Sequence, residues 1–281
     1  MATPQSYIMG HDDRERRRLA LQASILRPIT ERFFEDAGIS AGMNVLDLGC
    51  GVGDVSMILS RVVGPEGKVT GLDFDPAAVA AARQRTAEAG LTNTVFVESN
   101  VAGWQTDVPM DAVVGRHILI HTPDPVAILR RAADFMREGG ILAFQEYDFS
   151  LWVPSWPESA LNSRIMRVFV ELFPKLTHAN AGSRLHHWYR QAGFPAPRMS
   201  GNVLTDGAPD SSYYEWMVES LRTILPRAEQ MGLVQAGEFD PDRLADQLRA
   251  ELLATESTVA GIVMMGACSN KPASSPLNTA A

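Results

Sequence analysis

Val45-Leu46-Asp47-Leu48-Gly49-Cys50-Gly51-Val52-Gly53 is an apolar run that takes in one acid and then breaks into three alternating glycines. A helix-compatible stretch, residues 54–63, follows at once. Strand, glycine turn and helix together bring backbone amides close to a nucleotide. Glycine tolerates positive φ and has no side chain to block a ligand. The spacing separates ligand classes. A dinucleotide fingerprint sets its last glycine where a pyrophosphate meets the helix N-terminus. Here that position holds Asp54, and Asp47 stands two residues before the first glycine. The loop therefore suits a cationic or zwitterionic ligand better than a pyrophosphate.

A second short run, Val69-Thr70-Gly71-Leu72-Asp73, ends in an acid. It lies about 20 residues past the glycine turn, where a ribose-binding carboxylate belongs. Such a carboxylate can accept hydrogen bonds from both ribose hydroxyls. Asp47-x-Gly49-x-Gly51-x-Gly53 together with Asp73 resembles the first two motifs of the S-adenosylmethionine-dependent methyltransferases with a Rossmann-like core. The resemblance covers residues 41–148. It implies an α/β fold with a mostly parallel seven-stranded sheet, helices on both faces, and S-adenosylmethionine as cofactor. It implies cofactor contacts at Asp47, Gly49, Gly51 and Asp73, with Phe74 beside the last. The third strand of the family ends near the adenine, which places Asn100 and Val101 there. Many relatives carry an aspartate where this chain has Asn100, so Asn100 is either an adenine contact or a turn residue. An N-terminal turn, Tyr7-Ile8-Met9-Gly10-His11, is similar to one that folds over the cofactor in some small-molecule methyltransferases. It implies that Tyr7 touches the methionine moiety.

Composition narrows the partners. The chain has 281 residues, 46% hydrophobic and 21% charged, an ordinary globular balance. Its net charge of −8 argues against nucleic acid, which needs a basic stripe. Arg14-Glu15-Arg16-Arg17-Arg18 is the single basic cluster and reads as a solvated helix face. The two cysteines, Cys50 and Cys268, have neither disulfide nor metal-ligand spacing. No apolar stretch approaches membrane-spanning length and the N-terminus is polar, so a cytoplasmic setting is expected. The histidines match no metal-ligand spacing, so no metal is expected. A homodimer stays open.

Alternating patterns organise the middle of the chain. Residues 44–48, 68–73, 94–98, 112–115 and 141–146 read as buried strands, and residues 54–63, 76–89 and 125–137 as helices. Pro76 and Pro125 suit first helical turns. Gly139-Gly140 is expected to end the last of these helices and lead into a strand. Four segments follow: an N-terminal helical lid over 1–40, a cofactor-binding core over 41–150, a helical substrate cover over 151–258 with one core strand, and a last strand and disordered tail over 259–281. The aromatics of the cover, among them Trp152, Phe169, Tyr213 and Trp216, suit both a core and an apolar pocket for a small organic acceptor.

Chemistry after the fourth strand centres on Arg116, His117 and His121. Arg116 either pairs with the cofactor carboxylate or holds an acidic neighbour. His117 and His121 are the candidates for a general base, because imidazole titrates near neutral pH. Their spacing of four residues puts them on one face if the loop turns helically. His121 precedes a Pro-Asp-Pro turn, where relatives often keep a histidine as scaffold. Glu146 and Asp148 either face a substrate or anchor loops. The expected function is methyl transfer to a small, largely apolar acceptor. A cofactor-dependent cyclase or decarboxylase on the same scaffold, or a non-catalytic cofactor-binding protein, are the rivals.

Overall fold

A computed structural model describes residues 13–273. The elements run α1 (Asp13–Ala37), β1 (Asn44–Leu48), α2 (Asp54–Val63), β2 (Lys68–Asp73), α3 (Pro76–Glu88), β3 (Thr94–Glu98), β4 (Met110–Arg116), α4 (Pro125–Phe135), β5 (Met136–Trp152), α5 (Ala160–Leu172), α6 (Ala181–Gln191), β6 (Arg198–Asp206), α7 (Tyr213–Gln230), α8 (Pro241–Ala254) and β7 (Val259–Asn270). One 3-10 turn, Leu119–His121, follows β4. The strands form one seven-stranded sheet in the order β3-β2-β1-β4-β5-β7-β6. Its pairings β1–β2, β2–β3, β1–β4 and β4–β5 are all parallel. This is the Rossmann-like arrangement that the alternating sequence implies, and ligands of such sheets sit beyond the carboxyl ends of the strands.

Local sequence explains the helix starts. Asp75 and Asp124 cap α3 and α4, each accepting from a backbone N–H at 2.9 Å, from Ala77 and Ala127. Pro76 and Pro125 follow as first helical residues, as expected, because proline's missing N–H is not needed there. The Gly139-Gly140 pair behaves differently from the expectation. Helix α4 ends at Phe135, and β5 already begins at Met136. Met110 pairs with Met136 but Ala112 pairs with Ile141, a register shift that the two glycines absorb. Gly139 has φ +70, and a Cβ on Gly140 would stand 2.9 Å from the Arg137 carbonyl oxygen. The pair builds a bulge inside the strand, a common use of glycine.

The described residues divide into two compact units. The first comprises 13–28, 147–182 and 201–264; the second comprises 29–146, 183–200 and 265–273. In the second unit, Phe33, Phe34, Val45, Val55, Ile58, Leu59, Val69, Ala112, Val114, Ile141 and Ala143 form one buried cluster. In the first, Phe149 stacks on Phe173 with centroids 3.9 Å apart, and Phe169 stacks alongside. Among the described residues no helix is long and apolar enough to cross a membrane.

Candidate functional site

The glycine turn between β1 and α2 adopts the backbone that its composition demands. Gly49, Gly51 and Gly53 have φ of +65, +52 and +87, a region that L side chains rarely adopt. Each glycine answers a further requirement. A Cβ on Gly49 would meet Ile118 Cδ1 at 2.9 Å, and one on Gly53 would meet Ala82 and Phe96 at 3.1 Å. A Cβ on Gly51 would meet nothing within 4 Å, so the loop backbone there is open to a ligand. Asp73, at the end of β2, accepts from the Gly51 N–H at 2.9 Å and from the Asp75 N–H at 3.0 Å. Asp73 and the glycine loop are thus one hydrogen-bonded structure. Asp54 is paired with Arg85 of α3 at 2.6 Å, and Arg85 also donates to the Val52 carbonyl. The sequence counted Asp54 as bare negative charge; Arg85 compensates much of it.

Strand alternation sets a second group on the sheet. Val45, Ala112, Val114, Ile141 and Ala143 face the buried cluster. Residues two further along each strand share that face, which assigns Asp47, Arg116 and Gln145 to it at the carboxyl ends of β1, β4 and β5. Asp47 is buried and accepts from Ser56 Oγ at 2.6 Å. Burial raises its pKa to about 7, against the lowering effects of Ser56 and of the nearby Arg116 guanidinium. Arg116 donates to Thr30 Oγ1 of α1 at 3.0 Å. Its charge also acts on the Asp47 carboxyl, lowering that acid's pKa against burial. Gln145 lies directly across the ladder from Arg116 and is fully buried, yet neither of its amide atoms has a hydrogen-bond partner. Sequence reasoning passed over Thr30, Ser56, Arg85 and Gln145. The legible signal was Gln145's place as the one uncharged polar residue between an apolar strand and Glu146.

At the carboxyl end of β2, Phe74 is 63% exposed beside Asp73. Asn100 is also exposed, and its Oδ1 accepts from the Gly103 N–H at 2.6 Å. Its oxygen caps a turn, which leaves the amide nitrogen as the end able to address a base. The Val101 carbonyl accepts from Arg131 Nε at 3.3 Å, so the α4 arginine fixes this segment. Tyr7 lies outside the described residues.

The segment after β4 is tightly built. A Cβ on Gly115 would stand 2.5 Å from the Phe144 ring. His117 has φ +58 and donates its backbone N–H to the Gln145 carbonyl at 2.9 Å. Only Leu119–His121 turn helically, so His117 and His121 do not share a helical face. Glu146 is fully buried and its carboxyl accepts from the Ile118, Leu119 and Ile120 N–H groups at 3.1, 2.7 and 3.3 Å. Burial nevertheless pushes its pKa up to about 8. Glu146 is the anchor of this loop. Burial pushes His121 down to about 4, so its imidazole is neutral and weakly basic at pH 7. Among the described residues no group of three or more His, Cys, Asp or Glu could hold a metal ion.

Residues 39–193 match the family model described as a methyltransferase domain. The demethylmenaquinone methyltransferase of Listeria welshimeri is 30% identical over 165 residues, 58% of this chain and 67% of that protein. Against its Listeria monocytogenes counterpart, 32% identical over 49% of this chain, the match spans only 59% of the relative's length. Among solved structures, the [4+2]-cyclase SpnF shares the fold with a TM-score of 0.53 at 19% identity, covering 88% of this chain and 82% of that one. The matched span takes in the glycine loop, Asp73 and the segment after β4, and the chain belongs to the methyltransferase-domain family of class I, S-adenosylmethionine-dependent enzymes.

Proposed function

We propose that this enzyme transfers a methyl group from S-adenosylmethionine to a small, largely apolar organic acceptor. The observation that carries the donor site is the bridge from Asp73 to the Gly51 N–H beside an open loop backbone. When bound, the cofactor would supply an electrophilic sulfonium methyl, with a neutral thioether as the leaving group. Asp73 holds the ribose hydroxyls with its remaining lone pairs, and Phe74 offers an apolar surface to the base beside Asn100 and Val101. Asp47, Arg116 and Gln145 hold the zwitterionic end, the carboxylate by Arg116 and the ammonium by Asp47. The chain's main contribution to rate is alignment of donor and acceptor. His117 takes the acceptor proton where that proton is weakly acidic; His121 supports the loop. The setting proposed is the cytoplasm and secondary metabolism, with a small molecule and not a nucleic acid as partner.

Calorimetry tests the donor half. S-adenosylhomocysteine should bind at micromolar concentration and NAD should not; equal affinity for the two would sink the assignment. Product mass tests the rest: a methyl gain supports transfer, an isomer a cyclase, a loss of carbon dioxide a decarboxylase. His117→Asn keeps a residue that tolerates positive φ and removes the imidazole. It should lower turnover about 10²-fold. An unchanged pH–rate profile in that variant would show that alignment alone drives the reaction.

A further inference from the structure

Tyr213 opens α7 in the first unit and is 3% exposed. Its hydroxyl donates to Asn162 Oδ1 of α5 at 3.4 Å. Its ring meets the Trp216 ring edge-on, with centroids 5.8 Å apart and planes at 65°. Three residues apart on a helix, these two side chains belong to one face. Asn162 is fully buried and Trp216 is 4% exposed. Neither Asn162 Nδ2 nor Trp216 Nε1 has a hydrogen-bond partner.

The surroundings are aromatic. Tyr147 stands close enough to add to the upward shift that burial imposes on the Tyr213 phenol. Tyr147 packs on Phe149 at 5.7 Å between centroids. A Cβ on Gly261 would stand 3.6 Å from the Tyr213 ring and 3.7 Å from its hydroxyl. Tyr213 also lines a pocket of about 290 Å³ with Ser24, Ile25, Leu204, Thr205, Asp206, Ser211 and Ser212; neither Asn162 nor Trp216 lines it. That volume lies at the lower end of small-ligand sites.

Buried donors without partners are rare, because each forfeits its hydration with no return. Two of them flank one tyrosine here. Indole N–H and amide NH₂ groups only donate. They complement an oxygen lone pair and repel an ammonium. Aromatic walls favour a flat, conjugated ring over a flexible chain.

We propose that the first unit binds a flat, uncharged ring compound through a carbonyl or enol oxygen, with Asn162 Nδ2 and Trp216 Nε1 as its donors beside Tyr213.

The test uses the full chain and two probes with one ring skeleton, 1-tetralone and tetralin, which differ by the carbonyl. By calorimetry the ketone should bind at least about tenfold more tightly, the equivalent of one or two gained hydrogen bonds. In the ¹H–¹⁵N spectrum one indole N–H, assigned by its absence in Trp216→Phe, should shift with tetralone and not with tetralin. Trp216→Phe and Asn162→Leu should each erase most of the preference and leave tetralin affinity unchanged. S-adenosylhomocysteine affinity reports that each variant is folded. Equal binding of the two probes, no binding of tetralone up to its solubility, or a preference that survives Trp216→Phe would each overturn the proposal. If the ketone preference holds but the protein neither binds S-adenosylhomocysteine nor yields a methylated product, the oxygen site stands and the methyl-transfer function falls.

Discussion

Gln145 shows how a single buried residue divides stability from function. An amide with neither atom hydrogen-bonded carries the desolvation penalty of a polar group and none of the return. Gln145→Leu has similar length and fits an apolar strand. Unfolding free energy should rise by about 1–3 kcal/mol, the range for relieving unsatisfied buried groups. Affinity for S-adenosylhomocysteine should fall in the same variant, because the amide next to Arg116 is where a carboxylate or ammonium gains a partner. Denaturant melts and calorimetry check both signs. A variant that is more stable and binds as well as wild type would remove Gln145 from the donor site. Asp47 and Asp73 were legible from the sequence because each stands at a fixed offset from glycines. Gln145 was legible only as an odd polar residue before Glu146, since its role depends on a neighbour 29 positions back in the chain, Arg116, brought opposite by strand pairing.

Among the elements, the segment between β4 and α4 owes its shape to Glu146, and that dependence has a pH signature. The Glu146 carboxyl is pushed from 4.5 to about 8 in the folded chain. An acid with a raised folded pKa holds its proton more tightly when folded. Its contribution is full below pH 4.5 and is lost as pH rises through about 8. Asp47 acts in the same sense up to about 7. His121 acts oppositely: lowered from 6.5 to about 4, it adds stability as pH climbs between those values and nothing above 6.5. The thermal midpoint should therefore decline from pH 6.5 to about 8, and Glu146→Gln should flatten that decline. Identical slopes in the two proteins would show that Glu146 does not titrate there. The sequence located every strand of the sheet, because apolar runs bounded by glycine and proline are local signals. It misjudged the Gly139-Gly140 step because a bulge is defined by the partner strand. The condition for His117 and His121 to share a face, a helical turn joining them, is not met: only Leu119–His121 turn helically, and three N–H groups there answer one distant carboxyl.

For the whole molecule, ligand binding and folding are linked. Saturating S-adenosylhomocysteine at a hundred times its Kd should stabilise the chain by about 2.7 kcal/mol. In a protein of this size that is a rise of roughly 5–10 °C in Tm. Hydrogen exchange should slow most at the Cys50 and Gly51 N–H groups, which are bonded to the Leu72 carbonyl and to Asp73. NAD should change neither quantity. A rise in Tm without added protection at that loop would place the ligand elsewhere in the chain.

The near-contact of Gly49 with Ile118 makes the donor loop and the loop after β4 mesh like two gears. A methyl added at position 49 would stand 2.9 Å from Ile118 Cδ1, so the clash passes into the segment that carries His117. Gly49→Ala should then disturb turnover more than backbone strain alone explains. Ile118→Val shortens the opposing tooth. The pair of substitutions should be non-additive by about 0.5–3 kcal/mol, the range for residues in contact. The strain of a φ of +65 is the share that Ile118→Val cannot return. Laboratory evolution of acceptor scope would accordingly select changes at positions 49 and 118 together, and a change at either one alone would be purged.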